Sequence, residues 1–218
     1  CGLAGVGGRT MARIERIDVM AFANAQRLPG KQVEMFIRRG FLDAETCAGL
    51  ITRIEAGRRP STITDAYGAD PGFRTSETCD LDGADPLVAG VRAALADYAG
   101  LPLDHAESLQ GQRYGEGQEF KFHTDYFEPT GLDYFPHTER GGQRTWTMMV
   151  YLNVPAAGGA TRFKHLDRII QPEVGKLVAW NNRLPDGGVN SWTLHAGLPV
   201  RRGAKYVITA WFRERPWI

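Results

Sequence analysis

Thiols, histidines, net charge and long apolar runs are all scarce in this chain of 218 residues. Its three cysteines, Cys1, Cys47 and Cys79, show no CxxC spacing, which excludes thiolate-rich zinc and iron–sulfur sites. They read as reduced thiols, so a cytoplasmic location is expected. With 26 basic and 25 acidic residues, a formal charge of +1 leaves no cationic excess for a phosphate backbone, and no nucleic-acid partner is expected. The even balance is compatible with a homodimer. No run approaches the roughly 18 apolar residues of a membrane span, so no membrane partner is expected either. Repeats and low-complexity blocks are absent. Residues 1–10 lack the apolar stretch of a signal peptide and read as a flexible extension, with Met11 as an alternative start. Only five histidines are present, so a metal would have to draw on His105, His123, His137, His165 or His195 with carboxylates.

What is present falls into two halves. Ile14, Ile17 and Ala21 recur at helical spacing, suggesting a first helix that ends near Leu28-Pro29-Gly30. Val33–Ile37 reads as a strand. Asp43 looks like an N-cap for Cys47, Leu50, Ile51 and Ile54, with Gly57 as the stop. A polar loop follows from Arg58 to Gly72. Asp85 and Pro86 open a further helix through Leu87, Val88, Val91, Leu95 and Tyr98, which ends at Gly100. After Leu103 the period becomes two. Strand-like runs cover Glu107–Tyr114, Glu119–Thr124, Arg144–Val154, Thr161–Phe163, Leu177–Trp180, Ser191–Val200 and Lys205–Phe212, separated by glycine turns. Helices first and strands afterwards argue against a βαβ sheet and for a sandwich or jelly roll. The expected class is mainly β with flanking helices (α+β). Residues 1–103 form a helical and loop support, and residues 104–218 the barrel, within one compact domain.

The chemistry centres on His123-Thr124-Asp125. In a strand, residues i and i+2 share a face, so His123 and Asp125 project together. His195 lies on a later strand that a barrel can bring alongside. Two histidines and a carboxylate form the facial triad of non-haem Fe(II), which leaves coordination positions open. His165-Leu166-Asp167 is a rival pair, but it sits in what looks like a hairpin connection, which favours His123 and Asp125. Lys205 follows His195 across the Arg201-Arg202-Gly203 turn, and a hairpin there would bring it near the metal. An inward lysine is costly unless it meets an anion, and a dicarboxylate bound to the metal at its other end would satisfy it.

Further segments extend the pattern. They are Arg74-Thr-Ser76, Gln112-Arg-Tyr114, Gly141-Gly-Gln-Arg144, Thr147-Met-Met-Val-Tyr151-Leu-Asn153, Gly158-Gly-Ala-Thr161 and His195-Ala-Gly-Leu-Pro-Val200. In order and spacing, residues 74–216 resemble the Fe(II)/2-oxoglutarate-dependent dioxygenases, in the prolyl 4-hydroxylase branch. The resemblance implies a double-stranded β-helix with Fe(II) on His123, Asp125 and His195. It implies that Lys205 binds the distal carboxylate of 2-oxoglutarate, with Tyr114, Tyr151 and Thr147 as further cosubstrate contacts. O2 is the second cosubstrate, and ascorbate is expected as a reductant. Arg144, Trp211, Arg74 and Phe120 would line the substrate groove. Phe120 departs from the family, which often carries a tyrosine there.

The expected activity is hydroxylation of proline in a peptide or protein, releasing succinate and CO2. The alternatives are the same chemistry on a free amino acid or other small molecule, and a non-catalytic cupin-like barrel. Arg58–Thr75 and Tyr126–Gln143 read as lids over the site.

Overall fold

The computed structural model describes residues 21–62, 70, 72–132 and 134–217. Ile14 and Ile17, and with them the expected first helix, lie outside the described residues, as does most of the Arg58–Gly72 loop. Ala21 belongs to a turn.

Local sequence sets the two long helices. In α1 (Ala44–Gly57), the Asp43 carboxylate accepts the Thr46 N–H at 2.7 Å. In α2 (Pro86–Ala99), the Asp85 carboxylate accepts from Leu87 and Val88, and Gly100 ends the helix at φ 64°. Both caps satisfy N–H groups that have no partner within the helix. α1 ends at Gly57 as expected, but not through a left-handed glycine turn. The glycine remains helical, and Arg58 beyond it is extended. Its small size serves packing instead, since a Cβ there would lie 2.9 Å from Cys79 Sγ.

The strands are β1 (Gln26–Arg27), β2 (Met35–Arg38), β3 (Arg59–Pro60), β4 (Glu77–Asp80), β5 (Gln110–Tyr114), β6 (Phe120–His123) and β7 (Arg144–Tyr151). They continue with β8 (Ala157–Gly158), β9 (Thr161–Phe163), β10 (Arg168–Ile170), β11 (Lys176–Asn181), β12 (His195–Gly197), β13 (Val200–Arg202) and β14 (Lys205–Arg213). A major sheet runs β1-β2-β11-β7-β14-β5-β4-β3 and a minor sheet β10-β9-β12-β6. β13 and β8 form a small antiparallel pair. The antiparallel layers make the expected jelly roll.

Side-chain alternation on the major sheet builds two cores. Ile208, Ala210 and Phe212 of β14 join Leu50, Ile54, Val91 and Leu95 of the helices. Val207 instead joins Tyr114, Tyr151, Phe163 and Trp180 between the sheets. Because both faces of β14 are covered, the strand is apolar on both.

Several boundaries differ from the sequence expectation. The N-terminal support also supplies β1–β4, so the barrel draws on both halves. Ser191–Val200 is not one strand: a 3-10 turn over Ser191–Thr193 precedes β12. Within the expected lid Tyr126–Gln143, residues Tyr134–Thr138 form a short helix, α3. Lys205 does not reach the site by a hairpin with His195. β14 pairs with β5 and β7, while β12 pairs with β6 and β9, so Lys205 and His195 face each other from opposite sheets.

Candidate metal and cosubstrate site

β6 and β12 are antiparallel neighbours with His123 opposite His195. Asp125 follows two residues after His123 and turns its carboxylate between the rings. His123 Nε2 lies 3.9 Å from Asp125 Oδ1, and His195 Nε2 lies 3.9 Å from Oδ2. The three donor atoms lie within 4.8 Å of one another, and all three residues are buried. His123 Nδ1 lies 2.8 Å from the Lys121 carbonyl, and His195 Nδ1 lies 2.9 Å from the Thr193 carbonyl. A carbonyl only accepts, so both Nδ1 atoms carry the proton and both Nε2 lone pairs face the centre. Burial, then the neighbouring His195, hold the His123 pKa well below the ordinary value. Two inward-facing imidazole Nε2 atoms and a carboxylate are a ligand set for Fe(II).

The carboxylate is held from behind. Thr147 Oγ1 donates to Asp125 Oδ2 at 2.8 Å, and Asn182 Nδ2 donates to that hydroxyl at 2.9 Å. Neither residue is exposed. Thr147 therefore orients a candidate metal ligand, a role distinct from the expected cosubstrate contact. Tyr151 also differs from expectation. Its hydroxyl is 2.6 Å from Thr161 Oγ1 and 3.2 Å from the Ile170 carbonyl, and burial raises its pKa. It braces Thr161, which lines the inner cavity.

Lys205 sits on the opposite wall at 2% exposure. Its ammonium lies 3.9 Å from the Tyr114 ring centroid, and among the described residues no carboxylate pairs with it. Burial lowers its pKa to about 7. Gly197 faces it across the sandwich: a Cβ there would lie 3.4 Å from Nζ and 3.6 Å from the Tyr114 ring. The absent side chain leaves room beside an uncompensated buried cation. The Tyr114 hydroxyl donates to Gln112 Oε1 at 3.1 Å, and burial keeps the phenol protonated.

An outer cavity of about 490 Å³ opens onto His123 and Asp125 of the triad. Phe120 stacks on His123 with centroids 3.5 Å apart, and the Arg74 guanidinium lies 4.7 Å from the Phe120 ring centre. Arg74 also donates to Ser76, Thr78 and Gln110, all neutral partners, so it is not a surface ion pair. Arg144 covers the Trp211 ring at 3.9 Å and forms a two-pronged pair with Glu107 at 2.7 and 2.9 Å. That partner is buried. Burial by itself would raise the Glu107 pKa. The guanidinium of Arg144, with Arg213, outweighs it and holds the carboxyl below its ordinary value.

His165 lies at the mouth, but Asp167 points to solvent at 93% exposure of its side chain, which removes the rival pair. His105 Nδ1 meets the Arg213 carbonyl, and His137 stacks on Phe127. Sequence reasoning missed Glu107 and Asn182. Asn182 follows the apolar run Leu177–Trp180, which is the trace a buried polar partner leaves, whereas Glu107 opens a largely polar run that carries no such signal.

A family model described as the 2OG-Fe(II) oxygenase superfamily matches residues 109–213. A probable prolyl 4-hydroxylase 3 of Arabidopsis thaliana is 32% identical over 200 residues, covering 81% of this chain and 68% of that protein. A putative prolyl 4-hydroxylase of Acanthamoeba polyphaga mimivirus is 32% identical over 149 residues, covering 68% of this chain and 62% of that protein. The chain thus spans about two thirds of the length of these curated relatives. The solved viral collagen prolyl hydroxylase of Paramecium bursaria Chlorella virus-1, in its 2OG complex, superposes with a TM-score of 0.64 at 27% identity. That match covers 84% of this chain and 97% of the viral one.

Proposed function

The chain belongs to the 2OG-Fe(II) oxygenase superfamily, in its prolyl 4-hydroxylase-like branch, and from that premise we propose that it hydroxylates proline within an extended peptide or protein segment. One observation carries the cosubstrate reading: a buried, unpaired Lys205 faces the His123–Asp125–His195 triad from the opposite sheet. Holding a metal alone requires no such cation, so the arrangement disfavours a non-catalytic cupin-like barrel.

Bound Fe(II) with 2-oxoglutarate and O2 supplies the oxidising power to insert oxygen into a C–H bond, with succinate and CO2 as products. The protein's own residues do the placing. His123, Asp125 and His195 would hold the metal, and Thr147 with Asn182 fix the carboxylate. Lys205 would receive the distal carboxylate, with Tyr114 beside it. Phe120, Arg74, Arg144 and Trp211 frame the entrance. Their flat faces suit a polyproline II segment, and the closed interior keeps water from the reacting centre. Proline-containing substrates are named for the relatives and carried over here by the similarity of the site.

The second reading is the same chemistry on a free amino acid or other small molecule. Phe120 favours keeping it, because this wall offers no hydroxyl to a peptide. Incubation of a proline-rich peptide library with Fe(II), 2-oxoglutarate and ascorbate, read by mass spectrometry, decides between them. Gain of one oxygen atom on proline is expected. 2-Oxoglutarate turnover with no modified peptide would reject the peptide reading.

A further inference from the structure

A second hollow lies beside the catalytic mouth. This cleft, about 180 Å³, opens between the N-terminal segment, at Leu28, Pro29 and Gln32, and the tip of the β9–β10 hairpin, at His165 and Arg168. Trp192 of the Ser191–Thr193 turn forms its end. His165 lines both the cleft and the catalytic mouth, and Ser191 and Leu194, on either side of the Trp192 turn, line the mouth. The two hollows therefore share one ridge, on which His165 meets Trp192 edge to face at 5.9 Å.

The cleft is preorganised. Asn190, 1% exposed, donates from Nδ2 to the Gln32 carbonyl at 2.8 Å. Its Oδ1 accepts the Trp192 N–H at 3.1 Å. One buried side chain thus ties both walls together. Trp192 nevertheless remains 39% exposed, although an indole gains from burial. Among the described residues, no carboxylate lines the cleft. Its polar side chains, those of Gln32, His165, Arg168 and Trp192, are rich in donors.

We propose that this cleft is a second subsite of the substrate groove, holding the part of a proline-rich chain that flanks the target proline. A proline-rich segment has free carbonyl acceptors, few N–H donors and a preformed extended shape, which complements a donor-lined hollow with an aromatic end. Continuity with the catalytic mouth through His165 argues for the same peptide as occupant. The inference rests on the peptide reading above.

Its test compares a short proline peptide with a proline-rich peptide of roughly 15 residues, about 45 Å long as polyproline II. Trp192→Ala should raise KM for the long peptide about tenfold with kcat unchanged, the loss typical of removing an aromatic anchor. Its KM for the short peptide and its peptide-independent 2-oxoglutarate turnover should match the parent. Arg168→Gln should shift KM the same way and guards against a misfolded first variant. An unchanged KM for the long peptide in both variants, or an equal loss on both peptides, overturns the subsite. Fluorescence anisotropy of the labelled long peptide separates the two readings. Weaker binding to Trp192→Ala in the absence of any proline hydroxylation would keep the cleft and reject the peptide-hydroxylase reading. Hydroxylation with equal binding by parent and variant would reject the cleft alone.

Discussion

Lys205 keeps an amine where water cannot reach it, and burial alone brings its pKa down to about 7 from the ordinary 10.5. A bound dianion favours the ammonium and raises that pKa again. Below about pH 7 the lysine is protonated before and after binding, so affinity for 2-oxoglutarate is flat there. Above it the free site has lost the proton, and affinity should fall by up to tenfold per pH unit with net proton uptake on binding. Calorimetry in two buffers of different ionisation enthalpy measures that uptake, and pH-independent affinity across this range would refute the pairing. Gly197→Ala should weaken 2-oxoglutarate while leaving metal affinity intact, because its Cβ would sit 3.4 Å from Lys205 Nζ. Thr147→Val removes the donor to Asp125 Oδ2 and should lower Mn(II) or Co(II) affinity by about 10–100-fold, with Thr147→Ser restoring it. Metal titration of the apoprotein reads this without turnover, and equal affinity of the valine variant would show that the bond does nothing for the metal.

At the scale of elements, the helices were the more legible part. Asp43, and Asp85 with Pro86, announced α1 and α2 because capping is chemistry between residues close in sequence. The period of two located β7, β9, β11 and β14 to within a few residues. Ser191–Val200 was misread because alternation does not reveal that Asn190 bonds Trp192 N and turns the chain. The conformation of Gly57 was misread because its packing partner, Cys79, comes from a strand that local pattern did not show. The contact between α1 and β5 offers a sharp test. A Cβ at Gly111 would lie 2.4 Å from Ile54 Cγ1. Gly111→Ala should cost about 1–3 kcal/mol in urea unfolding with an unchanged metal stoichiometry. A stability equal to the parent would mean that the helix yields without cost.

For the whole molecule, the site spans both sheets, so ligands should tie the layers together. Metal at about a hundredfold excess over its Kd adds about 2.7 kcal/mol, which raises Tm by roughly 5–10 °C in a domain of this size. Asp125→Ala should abolish the shift. Acid should act oppositely on the apoprotein. His123 is neutral when folded and takes up protons when unfolded, so stability falls as pH drops below 6.5, the ordinary histidine value. Glu107, held below its ordinary value mainly by Arg144, adds to the loss at lower pH. Chemical denaturation across this range measures both effects, and a flat profile would show that neither group is coupled to folding.

The sequence by itself marked His123, Asp125 and His195 as a candidate metal triad, Lys205 as an inward lysine, and the capped starts of the two long helices. These depend on residue type, parity and caps, which are local properties. The tertiary structure alone decided which sheet each group stands on. Lys205 meets His195 across the sandwich because β14 takes β5 and β7 as neighbours while β12 takes β6 and β9. It also decided that Thr147 serves Asp125, and that Glu107 serves Arg144 and Arg213. The physical reason is that buried polar groups must find partners wherever the fold brings them, and those partners come from distant parts of the chain.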